Sequence, residues 1–163
     1  MECAKGGFMP QLNKGGKFIF GFSVIHPDLS VKFPPQTLLE YDITKDGKVI
    51  IFTGSKVTGG FCTTNYSLLS NSKLGHILRG CIALGDCSLP EGEFIQYKGR
   101  SYAWLHIDDS GLVKLTSKIM DKLQLRSGTE LLSIRSSDIA FTMGAKGPLL
   151  DRAYKYSGEI ERY

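Results

Sequence analysis

Long apolar runs are missing from this 163-residue chain: none approaches the ~20 residues that cross a bilayer as a helix. The opening Met1-Glu2-Cys3-Ala4-Lys5-Gly6-Gly7 lacks the apolar centre of a secretion signal, so the expected compartment is the cytoplasm and no membrane partner is expected. A dominant charge is lacking too. Lys and Arg number 20 against 16 Asp and Glu, a net charge of +4; that is too mild to mark a nucleic-acid binder and too mild to exclude one. Proline is scarce, at six, while glycine is abundant, at 19, which implies many turns and short elements. At this length a chain buries roughly 70% of its unfolded surface without disulfides or metals, enough for one mid-sized domain.

Local motifs for catalysis are also absent. The four cysteines, Cys3, Cys62, Cys81 and Cys87, include no pair at the two-residue spacing of a zinc knuckle or redox motif. A metal set drawn from Cys62, His76, Cys81 and Cys87 has no recognised ligand spacing, so these thiols read as small, partly buried groups in a reducing compartment. Gly54 and Gly60, or Gly144 and Gly147, are not followed by the Gly-Lys-Ser/Thr of a phosphate loop. Asp108-Asp109 reads as a turn, because Asp bonds its own backbone there. His26, His76 and His106 are scattered and form no local triad. No enzyme, metal or cofactor is expected.

What is present is a repeat. With residues 20–57 set above residues 102–139, twelve apolar positions coincide, well above chance. Phe20, Phe22, Ile25, Val31 and Phe33 meet Tyr102, Trp104, Ile107, Val113 and Leu115. Val49, Ile50, Phe52 and Val57 meet Leu131, Leu132, Ile134 and Ile139. Trp104 and Phe22 share a repeat position and read as core aromatics.

Each copy begins with an alternating apolar strand, 18–25 or 101–107, and a polar turn. A short strand follows, 30–33 or 112–115, and then a short helix. Pro34-Pro35 opens that helix in the first copy; Thr116 or Ser117 caps it in the second. After a tight turn comes a strong strand, 48–53 or 130–135. Gly54-Ser55-Lys56 or Ser136-Ser137-Asp138 then turns into a last strand. Units of about 45 residues fall below the usual size for independent folding, so the two are expected to share one core.

The remaining segments read as follows. Residues 1–16 form a mobile N-terminal arm. Residues 17–79 hold the first copy and a helix from Tyr66 to Leu78, with Leu69, Leu74, Ile77 and Leu78 on its buried face. Residues 80–93 are an irregular connector. Residues 94–163 begin with a hairpin across Lys98-Gly99-Arg100, continue through the second copy and end with a helix from Pro148 toward Tyr156.

The run Asp109-Ser110-Gly111-Leu112-Val113-Lys114-Leu115, a short helix, Leu123-Gln124-Leu125, Ser127-Gly128-Thr129-Glu130 and a strand pair resembles the AbrB/MazE/SpoVT swapped-hairpin family. The first copy carries that pattern in Val31-Lys32-Phe33-Pro34. The resemblance covers two blocks, about 90 residues in all. It implies an α+β, mainly β fold: a tandem-repeat swapped-hairpin barrel, a covalent pseudo-dimer, with a helix after each repeat. It also implies a transcription regulator that binds double-stranded DNA, as a monomer or a homodimer.

The family contacts DNA through arginines, and those positions differ here. They hold Ser23 and Leu105 on the first strand, Ser30 and Leu112 after the turn, and Leu38-Leu39 and Met120-Asp121 in the short helix. Apolar residues there point to a covered surface, under the two extra helices or a partner. The basic residues left for nucleic acid are Lys32 and Lys114 at one repeat position, Lys118 and Lys122 on one helix face, and Lys14 and Lys17 in the arm. They would give salt-sensitive phosphate contacts with modest base readout. The alternative implied by the resemblance is an antitoxin-like or scaffold module that has lost DNA binding and holds a protein partner through residues 148–163.

Overall fold

A computed structural model describes residues 18–163. The arm at 1–16, with Lys14, and also Lys17 lie outside the described residues. The fold is α+β and mainly β, with nine strands and six helices among those residues. In chain order these are β1 Ile19–Val24, β2 Ser30–Lys32, α1 Pro35–Tyr41, β3 Lys48–Thr53, β4 Phe61–Thr64, α2 Tyr66–Ser70, α3 His76–Gly80, α4 Ile82–Gly85, β5 Ile95–Tyr97, β6 Arg100–His106, β7 Leu112–Lys114, α5 Ser117–Leu123, β8 Glu130–Arg135, β9 Phe141–Gly144 and α6 Pro148–Lys155.

Seven strands form one antiparallel sheet in the order β1-β8-β9-β4-β3-β6-β5, and β2 pairs with β7 in a separate ribbon. Strands of the first half thus pair with strands of the second. The registers correspond as well. Phe22 faces Leu132 and Ser23 faces Leu131; at an offset of 82 residues in the chain, Trp104 faces Ile50 and Leu105 faces Val49. The turns match too: His26 to Leu29 and Asp108 to Gly111 close with the same backbone bonds, and Leu29 and Gly111 both have positive φ. Helices α1 and α5 each end in a left-handed residue, Asp42 and Gln124, again 82 apart.

The strands are nearly continuous in apolar residues because both faces of the sheet are covered. Val49, Ile51, Leu105, Leu131, Phe61 and Phe141 point to an inner core that also receives Val31, Val113 and Ile119. Ile50, Tyr102 and Trp104 point outward, under Leu69, Ile77, Leu78 and Leu84 of α2–α4. Ile19, Phe22, Leu132 and Ile134 point outward under Leu150 and Ala153 of α6. Phe22 and Trp104 are both buried, one in each outer layer.

Four expectations need correction. The sheet does not close into a barrel. The outer edge of β6 is taken by β5, and that of β1 by residues 161–163, through Phe22 N–H to the Glu161 carbonyl (2.8 Å) and Val24 N–H to the Tyr163 carbonyl (3.0 Å). The turn after β3 runs from Gly54 to Gly60, longer than the 136–140 turn after β8. Cys62 therefore faces Thr142, the repeat offset there becomes 80, and Val57 (62% exposed) lies in a loop. The helix expected from Tyr66 to Leu78 is broken, because Ser72 Oγ and Asn71 Nδ2 donate to the carbonyls of Leu69 and Ser67 and compete with helix continuation; Leu74 is left exposed. The 80–93 connector carries α4. The expected hairpin across Lys98-Gly99 is present, with positive φ at both residues, and Thr116 is the N-cap of α5, accepting from Ile119 N–H at 3.2 Å.

Candidate functional site

The ribbon is the first candidate surface. Val31 and Val113 pair at its centre and are buried. Alternation then puts Ser30, Lys32, Leu112 and Lys114 on the outward face. Lys32 and Lys114 are diagonal neighbours there, about 7–8 Å apart by ribbon geometry; Lys32 is half-buried and Lys114 exposed. The Ser23 hydroxyl donates to the Lys32 carbonyl at 2.6 Å.

Carboxylates flank this face. Asp28 accepts from the Ser30 hydroxyl (2.6 Å) and N–H (3.0 Å). Those bonds, aided by the charge of Lys114, hold its carboxyl below the usual range. Asp108 accepts from the Ser110 hydroxyl (2.7 Å), the Leu112 N–H (2.9 Å) and the Ser110 N–H (3.0 Å), and is lowered in the same way. Asp109 is exposed beside it. Lys118 and Lys122 are both exposed on α5, and Lys118 Nζ lies 2.9 Å from Glu93 Oε2 of the connector.

The positions where the resembled family carries arginine are now placed. Ser23 and Leu105 are buried, and Ser30 is turned onto Asp28. Leu38 packs against Gly111, in the space a Cβ there would take, and Met120 is buried. Leu39 is 79% exposed and Leu112 37%; Asp121 is exposed. The extra helices cover the outward faces of the large sheet instead, which corrects the expectation that they mask these positions.

A cleft of about 570 Å³ lies on the outward side of the large sheet, between α2–α3, the Lys98-Gly99 turn and the two loops at 54–60 and 136–140. Cys62 and Thr142 lie on its wall, Sγ to Oγ1 3.4 Å. Burial pushes the Cys62 thiol up, against the hydrogen bond from Thr142 and the charge of Arg100. His76 Nδ1 and the Tyr97 hydroxyl are bonded at 3.1 Å. Lys98 Nζ lies over the Tyr97 ring, 5.5 Å from its centroid, and the Arg100 guanidinium lies 5.4 Å from the Phe52 centroid. The cysteine–histidine set of the sequence does not converge: Cys81 is buried under the helices and Cys87 Sγ points to the Leu84 carbonyl. Among the described residues no three His, Cys, Asp or Glu side chains gather at metal-binding range. Sequence reading missed this cleft because four separate segments build it and none carries a local motif. No helix among the described residues is long and apolar enough to cross a membrane.

No protein-family model matches the chain, and no curated protein is significantly similar to it.

Proposed function

We propose that the chain is a swapped-hairpin pseudo-dimer of AbrB-like type that serves as a protein-interaction module and has given up the family's DNA contacts. Support for the pseudo-dimer comes from the exchanged pairing: β1 with β8, β3 with β6, and β2 with β7 in matching registers. Covalent linkage holds each half at high effective concentration for the other.

One observation carries the interaction reading. Leu112 is exposed on the outward ribbon face, and Leu39 is exposed on α1, whose neighbouring Leu38 packs at Gly111 of the ribbon turn; the family places arginines at both positions, and Asp28, Asp108 and Asp109 occupy the flanking turns. Duplex phosphates are repelled by such turns, and Lys114 and Lys118 each have a carboxylate nearby. A partner offering apolar side chains rimmed by basic groups complements this surface. Residues 148–163 are a poorer candidate, because α6 and residues 160–163 are already docked on the chain's own sheet.

A second reading, DNA binding, is favoured by Lys32 and Lys114 sharing one outward face, with Lys118, Lys122, Lys14 and Lys17 as further phosphate contacts. Fluorescence anisotropy with random duplex at about 50 mM salt, where counterion release favours binding most, separates the two. The interaction reading expects no binding. Affinity that falls steeply with salt and is lost in Lys32→Gln/Lys114→Gln overturns it in favour of DNA. A photo-crosslinking residue in place of Leu39, used in the source cell, should give a discrete protein adduct that the same residue at Lys155 does not give.

A further inference from the structure

We infer that the cleft on the outward side of the sheet is a binding site for a small organic anion with a flat apolar body, such as an aromatic carboxylate or sulfonate. Its volume, about 570 Å³, lies within the roughly 300–1,000 Å³ of small-molecule sites. Phe52, Leu69, Ile77 and Tyr102 supply the apolar wall. Lys98, Arg100 and His76 supply the polar end, and among the described residues that line the cleft none is acidic. That imbalance is local: elsewhere Lys118 of α5 pairs with Glu93 and Lys114 of the ribbon lies near Asp28.

The two cations are held where an anion can use them. Stacking on Tyr97 and Phe52 keeps Lys98 and Arg100 at the edge of the aromatic wall and limits their rotamers. Arg100 spends one N–H on the Thr53 carbonyl, at 3.3 Å, and keeps the rest of its fork for a carboxylate or sulfonate. Hydroxyls of Ser136 and Ser137 line the cleft and add donors, whereas those of Ser55 and Thr58 are bonded to each other. The loops that carry them follow the two strong strands of the repeat, so both halves build the site. This inference does not depend on what the ribbon binds.

The test titrates the full chain with 1-anilinonaphthalene-8-sulfonate and, separately, with N-phenyl-1-naphthylamine, which has the same aromatic body and no sulfonate. Expected is one saturable site for the anion, weakened by salt and weakened about tenfold in Lys98→Asn/Arg100→Gln, the loss of charge-assisted contacts. Asn suits the positive φ of Lys98, so the variant keeps the turn. The neutral probe should bind more weakly than the anion and equally to wild type and variant, which also reports an intact apolar wall. Lys155→Gln, on α6, should leave both affinities unchanged. Absence of anion binding, equal anion affinity in the double variant, or a neutral probe bound as tightly as the anion overturns the proposal.

Discussion

Val31 and Val113 are Cα partners at the centre of the β2–β7 ribbon, and they lie 82 residues apart, the offset at which the β1–β8 register matches that of β6–β3. In the proposed pseudo-dimer this pair lies on the two-fold relation between the halves. Both side chains are buried in the inner core, so neither half can complete that core without the other.

Truncation at this axis should therefore be symmetric. Val31→Ala and Val113→Ala each remove two buried methyl groups and leave a small cavity, a cost of about 2 kcal/mol. The two costs should agree within about 0.5 kcal/mol, and the double variant should depart from their sum because the side chains are neighbours. Urea unfolding should show one cooperative transition in every case. Two transitions, with each variant shifting only one, would show that the halves fold separately.

The apolar pairs offset by 82 residues are legible in the sequence because they are core positions. Phe22 with Trp104 and Val49 with Leu131 keep their character while the surface changes. What is not legible is set by distant partners. Nothing near Lys118 in sequence announces Glu93, and nothing near Phe22 announces the segment that covers the edge of β1. The equivalence of Val57 and Ile139 fails because the first hairpin loop is two residues longer, and the apolar pattern cannot distinguish a strand from a loop that carries one exposed valine. Helix α2 stops early through side-chain bonds from Asn71 and Ser72, whereas the spacing of Leu69 and Ile77 suits a continuous helix equally well.

Two glycines with left-handed backbones should differ in what they tolerate. Gly47, at φ +67, has open space where a Cβ would go, so Gly47→Ala costs only the backbone term, about 1–2 kcal/mol. Gly60, at φ +59, would drive a Cβ into the Met143 carbonyl of the neighbouring strand. Gly60→Ala should cost at least twice as much, because β4 and β9 must separate to accept it. Paired thermal melts measure the difference; equal shifts would refute this account of the second turn.

Tyr41 links α1 to the 136–140 loop. Its hydroxyl donates to the Ser137 carbonyl at 2.9 Å. Burial, reinforced by the charge of Glu40 and opposed by that of Arg135, pushes its pKa from 10.0 up to about 12. The folded state therefore holds the proton more tightly than the unfolded state. The contribution is fully present below pH 10 and is lost as pH rises toward 12. Tyr41→Phe should cost about 1 kcal/mol at neutral pH through the lost hydrogen bond, and its stability should fall less steeply than that of wild type between pH 10 and 12. Because Tyr102, Tyr154 and Tyr163 are also raised, the comparison is the difference between the two unfolding curves. Parallel curves would place the titration elsewhere.

The strand β1 would be an open edge without residues 160–163. Phe22 and Val24 donate to the Glu161 and Tyr163 carbonyls, and Tyr163 N–H returns a bond to the Phe22 carbonyl at 2.8 Å. The approach is close because Gly21 lacks a side chain: a Cβ there would lie 2.9 Å from both the Glu161 carbonyl and the Tyr163 ring. Ile160 is buried against the outer layer, and Arg162 holds Glu130 of β8 at 2.8 Å. Deleting residues 160–163 bares the donors and acceptors of β1, and an unpaired edge of this kind recruits another strand. The truncated chain should be less stable and should associate with itself in light scattering, at concentrations where the full chain keeps a constant mass. Gly21→Val should reproduce that association with the segment still attached, since it blocks docking rather than removing the strand. A truncated chain that keeps the mass of the full chain at every concentration would show that the edge of β1 is protected by something other than this segment.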